Sequence, residues 1–423
     1  MVDGRIRVTS LVGVLLISGL ILALGNAGIF LKVDSFNLML IGVFTALAVT
    51  QILTLPQAQL STSMMTSVFM IVAGTLIVYT SDSMPSLIVG WVLSAWPMIW
   101  TRDENGDRWG LPAIALILSI VSLIAAVIFV PVPGMHGLAF GGFTLALVFR
   151  KGIFPAQSWV PAAFEKKPLW LSNLTVSSHL GAVLAVRAAI PMLAAESRGF
   201  TQLISGLALM TAIGSALAAL REDRPRRLLA WIFSSQAAII LAGLESANTE
   251  AISGAFVHMI VVSVAASALF LVYQCVEARF GPAFSAEKYA GIASRTPRLA
   301  AFFLVAGLAL VGLPGTLGFC AEDLLLQGTM HTYPLLGVIL PIATALNAWN
   351  IFRVFSRVFL GKGPRAVPVV SDALPRERWA LAAMVVVLIW GGISPQTFVN
   401  SRAHAASVLA DLLAPPGKSA SLR

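Results

Sequence analysis

Charge is what this sequence has least of. Asp, Glu, Lys and Arg together make up 11% of its 423 residues, where a water-soluble chain carries about 25%. A chain this poor in charge and 58% hydrophobic cannot clothe a soluble domain, so a soluble catalytic module is excluded. Cysteine is nearly absent: Cys275 and Cys320 both lie in apolar segments and give no disulfide or thiolate metal pattern. Phosphate-binding loops, His/Cys metal spacings and nucleophile motifs are also missing, so neither a cofactor nor a metal is expected. The first apolar run, after Arg5 and Arg7, has no small-residue cleavage site; it reads as a retained span rather than a signal peptide.

What is there is a succession of apolar runs. Cut at roughly 17–25 residues, they give candidate helices near 9–31, 36–55, 62–80, 84–100, 111–131, 134–150, 171–191, 200–220, 228–244, 251–276, 299–320, 333–359 and 379–399. The expected fold class is all-α: a polytopic membrane protein of about 12–14 transmembrane helices, one integral domain over residues 1–423, with a tail from 400 to 423. The net charge of +9 would suggest nucleic acid in a soluble chain, but here it follows the loops. Arg102 and Arg108, then Arg221, Arg224, Arg226 and Arg227, then Arg279, Lys288, Arg295 and Arg298, then Lys362, Arg365, Arg376 and Arg378 fall on alternate connections. The connections between them carry Asp82, Glu196 with Arg198, and Glu245 with Glu250. That asymmetry puts the amino terminus and the basic loops in the cytoplasm and the carboxyl terminus outside. The expected location is the cell's inner (plasma) membrane, with the lipid bilayer as partner and no nucleic acid.

Two stretches break the pattern. Residues 149–170 hold Arg150, Lys151, Glu165, Lys166 and Lys167 around Pro155 and Pro161, which interrupt any continuous helix. His179 and Arg187 follow in the next span. Residues 312–323 hold Leu313-Pro314-Gly315-Thr316-Leu317-Gly318 and then Glu322 and Asp323. Broken backbone and ionisable groups persist at membrane depth only where protein buries them or water reaches them, and paired interrupted helices point to a transport site. An imidazole at mid-span exchanges a proton at ordinary pH, which a guanidinium does not; the alternative for His179 is a neutral ring bonding a neighbouring helix. Arg150 is either a fixed charge that biases its neighbours or an anchor reaching for headgroups. Glu322 and Asp323 are expected to share one site, where repulsion disfavours two negative charges at once. His258 either extends a relay or packs between helices, and His136 and His331 lie near span ends. Glu277 and Arg279 read as interface residues, Arg353 and Arg357 as a helix-end anchor. The Arg221–Arg227 run reads as a solvated loop and a docking surface for a soluble partner. The many Ala, Ser and Gly, including Gly141-Gly142, suit close helix packing.

At these residues the chain resembles the antiporter-like subunits of respiratory complex I (NADH:quinone oxidoreductase) and the Mrp cation/proton antiporters, closest to the subunit M type. Trp91-Val92-Leu93-Ser94-Ala95-Trp96-Pro97 is similar to the family's Trp-Glu-x-x-x-x-Pro helix. Pro155, Trp159 and Pro161 reproduce the Pro-x-x-x-Trp-x-Pro that follows the family's first pump lysine. His179 to Arg187 with Pro191 resembles the next helix, and Gly312 to Thr316 with Phe319 and Glu322 resembles a broken helix ending in a functional glutamate. Arg353 to Lys362 fits the end of that unit. The likeness covers 85–362, which it implies is the proton-conducting core, and it implies a shortened member. It also implies proton translocation along buried Glu, Lys, Lys and Glu or Lys. Val92 stands at the first of these positions, Arg150 or, one residue on, Lys151 at the second, His179 at the third and Glu322 at the last. The candidate relay is therefore His179, Glu322, Arg150, Lys151, Asp323 and His258, with other membrane subunits and a cytoplasmic soluble partner driving it. No catalytic site is expected in the chain itself, which would serve as a subunit of a larger proton-translocating assembly. Alternatives are a membrane subunit of an inorganic-carbon accumulation complex driven by proton influx, a non-pumping structural subunit, and a free-standing solute carrier.

Overall fold

The computed structural model describes residues 2–28, 30–103, 106–281, 290–330, 334–361 and 370–414. Lys288, His331, Lys362, Arg365 and the tail beyond 414 lie outside the described residues. The described chain is helical, with a single isolated β-bridge, Leu31 to Ser81.

In order, the helices are α1 (Val2–Asn26), α2 (Ser35–Thr54), α3 (Thr62–Thr80), α4 (Met84–Trp100), α5 (Leu111–Phe129), α6 (His136–Lys151) and α7 (Trp159–Lys166). α8 (Leu169–Ser177), α9 (Leu180–Leu184) and α10 (Ile190–Met192) form one interrupted rod, and α11 (Ala194–Arg221) and α12 (Pro225–Leu244) follow. Then come α13 (Thr249–Val261), α14 (Ser267–Phe280), α15 (Pro297–Leu310), α16 (Leu317–Met330), α17 (Pro334–Phe359), α18 (Pro375–Ile393) and α19 (Gln396–Leu413). Among the described residues, nine helical stretches are long and apolar enough to cross a membrane, and α4 and α15 are shorter apolar helices. α18 and α19 meet at 75°, and Arg198 Nη1 donates to the Leu412 and Ala414 carbonyls at the end of α19.

Burial sorts the spans. Within an apolar eighteen-residue window of each, the segment 169–192 is 94% buried and the rod of α13 and α14 100%, against 28% for α1. Leu, Val and Ile on the outer helices thus face apolar surroundings, and polar groups on the inner rods can meet only protein or water. Glycines let the inner helices touch. A Cβ on Gly254 would lie 2.7 Å from the Leu325 nitrogen, and one on Gly328 2.3 Å from that of Ala251, so α13 and α16 are in backbone contact.

Two departures from the sequence expectation concern the inner rods and the basic connection between α11 and α12. The helix expected over 171–191 is broken at Ser178-His179 and widened to a π-type turn over Ala185–Ala189; α13 and α14 are joined by a second such turn, Val262–Ala266. Such turns leave i→i−4 carbonyls free for other partners. The Arg221–Arg227 run is not a freely solvated loop. Arg226 grips Glu277 with two bonds of 2.6 and 2.7 Å, and Arg227 binds Glu165 at 2.6 Å and Glu222 at 2.7 Å, while Arg224 also pairs with Glu165. Glu277 and Arg279 close α14 and are both ion-paired, Glu277 with Arg226 and Arg279 with Glu377 at 2.5 Å. These ion pairs tie α7, α12, α14 and α18 together on the face carrying the basic loops.

Candidate functional site

Gly152 decides where α6 stops. Its φ of +69° suits the left-handed cap that a glycine supplies without strain, and it leaves Arg150 and Lys151 in the final turn, where cations complement the helix dipole. Both are buried, at 5% and 7% exposure, so Arg150 is not a headgroup anchor. Adjacent helix positions diverge by about 100°, and the two cations turn to different partners. Arg150 reaches α4: Nη2 donates to Ser94 Oγ at 2.8 Å, Nη1 to the Trp91 carbonyl at 3.4 Å, and the guanidinium lies 5.2 Å from the Trp91 ring. Lys151 Nζ lies 3.2 Å from His179 Nδ1.

His179 occupies the break itself, at φ +47° and ψ +33°. A left-handed backbone costs a non-glycine residue roughly 1–2 kcal/mol, and neighbours hold it there. Tyr79 Oη donates to the Ser178 carbonyl at 2.6 Å, and Ser263 Oγ donates to the Ser177 carbonyl at 2.9 Å. Below the break, Asn173 Nδ2 donates to Gln51 Oε1 (3.0 Å), Gln51 Nε2 to Gln274 Oε1 (3.1 Å), and Ser177 and Ser267 both donate to Asn173 Oδ1 (3.0 Å each). The ring of His179 stacks on Phe233 with centroids 5.7 Å apart. A cavity of about 10 Å³, bordered by Arg150, Lys151, Thr175, His179 and Phe233, adjoins it, close to the lower limit for a single water.

A Lys–His hydrogen bond has a chemical consequence. Two cations cannot donate to each other, so Lys151 and His179 together hold at most one positive charge. Either the ammonium donates to a neutral Nδ1, or an imidazolium donates to a neutral amine. His179 Nε2, the opposite nitrogen, has no protein partner among the described residues. His258 on α13 is fully buried, and both side-chain amide atoms of the fully buried Gln236 on α12 are without a partner among the described residues. The imidazole of His258 meets the Gln236 backbone and lies near enough to feel the charge on Lys151. Gln236 went unnoticed in the sequence because a single amide in an apolar run carries no spacing signal.

Glu322 and Asp323 do not share a site, contrary to the sequence expectation. The same 100° that separates Arg150 from Lys151 separates them. Glu322 faces inward, half-buried, and accepts from Thr344 Oγ1 at 3.1 Å; Asp323 is exposed and accepts from Gln327 Nε2 at 2.9 Å. Gly312, in the α15–α16 break at φ +68°, makes room for Glu322: a Cβ there would lie 2.6 Å from Oε2. No hydrogen bond joins His179 to Glu322; α13, with His258, packs against α16 by its glycines.

The family described as NADH:quinone oxidoreductase/Mrp antiporter, TM, matches residues 111–347, more than half of the chain. The chain belongs to that family. All six candidate relay residues lie inside the matched segment. Among curated relatives, NADH-quinone oxidoreductase subunit M of Mycobacterium tuberculosis is 28% identical over 283 residues, covering 66% of this chain and 51% of the relative. Subunit M of Rickettsia felis is 27% identical over 259 residues, 60% of this chain and 52% of the relative. The chain therefore spans about half the length of the curated relatives it matches. Among solved structures, a chain of respiratory complex I from Thermus thermophilus superposes with a TM-score of 0.83 at 21% identity, over 91% of this chain and 86% of that one. A chain of the Mrp complex from Dietzia superposes at 0.82 with 16% identity, over 97% and 95%. This family member thus shares the antiporter-like fold, with Arg150 bonded across to α4, the helix that carries Val92.

Proposed function

We propose that this chain moves protons within a membrane assembly of the NADH:quinone oxidoreductase or Mrp type, in the cell's inner membrane, through the core between residues 85 and 362. The observation that carries the reading is the buried Lys151–His179 hydrogen bond, a pair that can hold no more than one charge inside protein. A proton added to the pair from either side lets one leave from the other, by way of Nε2. The His258 imidazole and the unpaired Gln236 amide then offer polar atoms towards Glu322, and Arg150, which stays charged, sets the local field without carrying protons. Asp323, facing outward, belongs to the surface. The driving reaction belongs to other membrane subunits and to a soluble partner on the basic-loop face.

A non-pumping structural role is the second reading, favoured by one observation: Arg150 is satisfied by Ser94 and the Trp91 carbonyl, without any acid to pair with. Proton flux in vesicles containing the full assembly separates the two. His179→Ala and Glu322→Gln should each abolish flux with the assembly intact; unchanged flux in both removes the relay and leaves the structural role.

A further inference from the structure

α17 carries polar residues at three-residue steps, Thr344, Asn347, Asn350 and Arg353, with Arg357 one turn further. Residues three apart are neighbours on a helix surface, so these five form a stripe that winds slowly along α17. Its upper end touches Glu322 through Thr344 Oγ1, 3.1 Å from the carboxylate. Its lower end is the basic-loop face: Arg353 Nη1 donates to the Ala219 carbonyl at 3.0 Å and to Asn350 Oδ1 at 3.2 Å, and Arg357 meets Asp223 at 2.5 Å. An open cavity of about 350 Å³ is lined there by Trp349, Phe352, Arg353, Ser356 and Arg357.

Between these ends Asn347 and Asn350 are both fully buried. Asn347 Nδ2 donates to Ser235 Oγ at 2.8 Å, and Asn350 Nδ2 to the Ala216 carbonyl at 2.9 Å. Interhelical packing accounts for those two bonds. It does not account for Asn347 Oδ1, which accepts nothing among the described residues; the hydroxyls of Ser215 and Ser234, next in sequence to the α11 and α12 residues that α17 bonds, are also buried and without a partner there. The Asn173 cluster beneath His179 differs: among its linking atoms only Gln274 Nε2 is unmatched, as befits a brace. Buried polar atoms left open in native proteins are met by water, each water needing two to four polar partners.

We propose that Thr344, Asn347 and Asn350 order a file of waters that connects Glu322 directly with the basic-loop face. Glu322 then takes protons from that face without passing through His179. Amides and hydroxyls hold the waters; the waters carry the proton. The proposal rests on the reading of Glu322 as a relay group, and its test keeps the two apart.

The full assembly is reconstituted in liposomes with the basic face outward, and the external pH is stepped while the infrared carbonyl band of protonated Glu322 is followed. The band is assigned by its loss in Glu322→Gln. Asn347→Leu and Asn350→Leu, two independent interruptions, should each slow its appearance about tenfold or more, because each removes a polar partner that holds the waters. Asn347→Ser, which keeps a polar group, should stay near the native rate. Native kinetics in both leucine variants overturn the water file and leave the relay standing. A band that does not respond to pH even in the native chain overturns the relay, and the file with it.

Discussion

Lysine at position 151 is replaceable in two informative ways. Lys151→Met removes the hydrogen bond to His179 and leaves Nδ1 facing a cavity of about 10 Å³. A buried nitrogen without a partner costs about 1–3 kcal/mol, which is roughly a 5- to 150-fold loss of rate if every transported proton visits that pair. Lys151→Arg retains a positive charge and a donor but cannot give up its proton. If the pair works by shifting one charge between Nζ and Nδ1, arginine is as inactive as methionine. If Lys151 only supplies a field, arginine restores most of the flux. Proton uptake by vesicles, normalised to assembled complex, reads both variants against the native chain. Flux in the arginine variant near the native level would refute the exchange argument while sparing His179 as a carrier.

Other consequences are structural. Gly328→Val places side-chain atoms against the Ala251 backbone, where a Cβ alone would lie at 2.3 Å, and should lower the thermal midpoint in detergent by an amount equivalent to about 1–3 kcal/mol or more. Arg226→Ala should destabilise by about 1–2 kcal/mol, because the two bonds to Glu277 are charge-assisted and partly shielded. Arg224→Ala, whose side chain is 60% exposed, should cost about 0.5 kcal/mol or less; a denaturant series on both variants checks the order. Glu245, just beyond the span 225–244, is buried, and burial pushes its carboxyl up to about 8. The folded state then binds this proton more tightly than the unfolded one. Its contribution is full below the ordinary carboxylate range and is lost as pH rises to about 8. Glu245→Gln should therefore gain in relative thermal stability from pH 5 to 8 and hold a constant offset above; a flat difference across that range would contradict it.

How much of this was legible beforehand depends on what holds each feature in place. The interruptions at 149–170 and 312–323 were visible because prolines and glycines break helices locally: Gly152 at φ +69° and Gly312 at φ +68° act through their own backbone. The break at His179 was not visible. Ser177-Ser178-His179 contains no breaker, and the partners that hold it, Tyr79 and Ser263, lie 99 and 86 residues away in sequence. The same distance effect hid the Arg226–Glu277 and Arg227–Glu165 pairs, so the basic run read as a solvated loop. The divergence of Glu322 from Asp323 was within reach, since neighbours on a helix never share a face. The polar steps of α17 were also in plain view, but only the depth of Asn347 and Asn350 distinguishes them from a solvated stripe.

The adjacent cations at 150 and 151 make sense together in a way neither does alone. Both sit in the last turn of α6, at the negative end of its dipole, so the fold can hold positive charge there without an acid nearby. Arginine takes the site next to α4, where a carbonyl and a hydroxyl can bond a guanidinium that never loses its proton. Lysine takes the site facing His179, the one partner able to trade a proton with it. Exchanging the two residues, as Arg150→Lys with Lys151→Arg, would keep the total charge and both hydrogen-bonding positions. If division of labour between fixed and movable charge is the reason for the order, the swap should assemble normally and conduct no better than Lys151→Met.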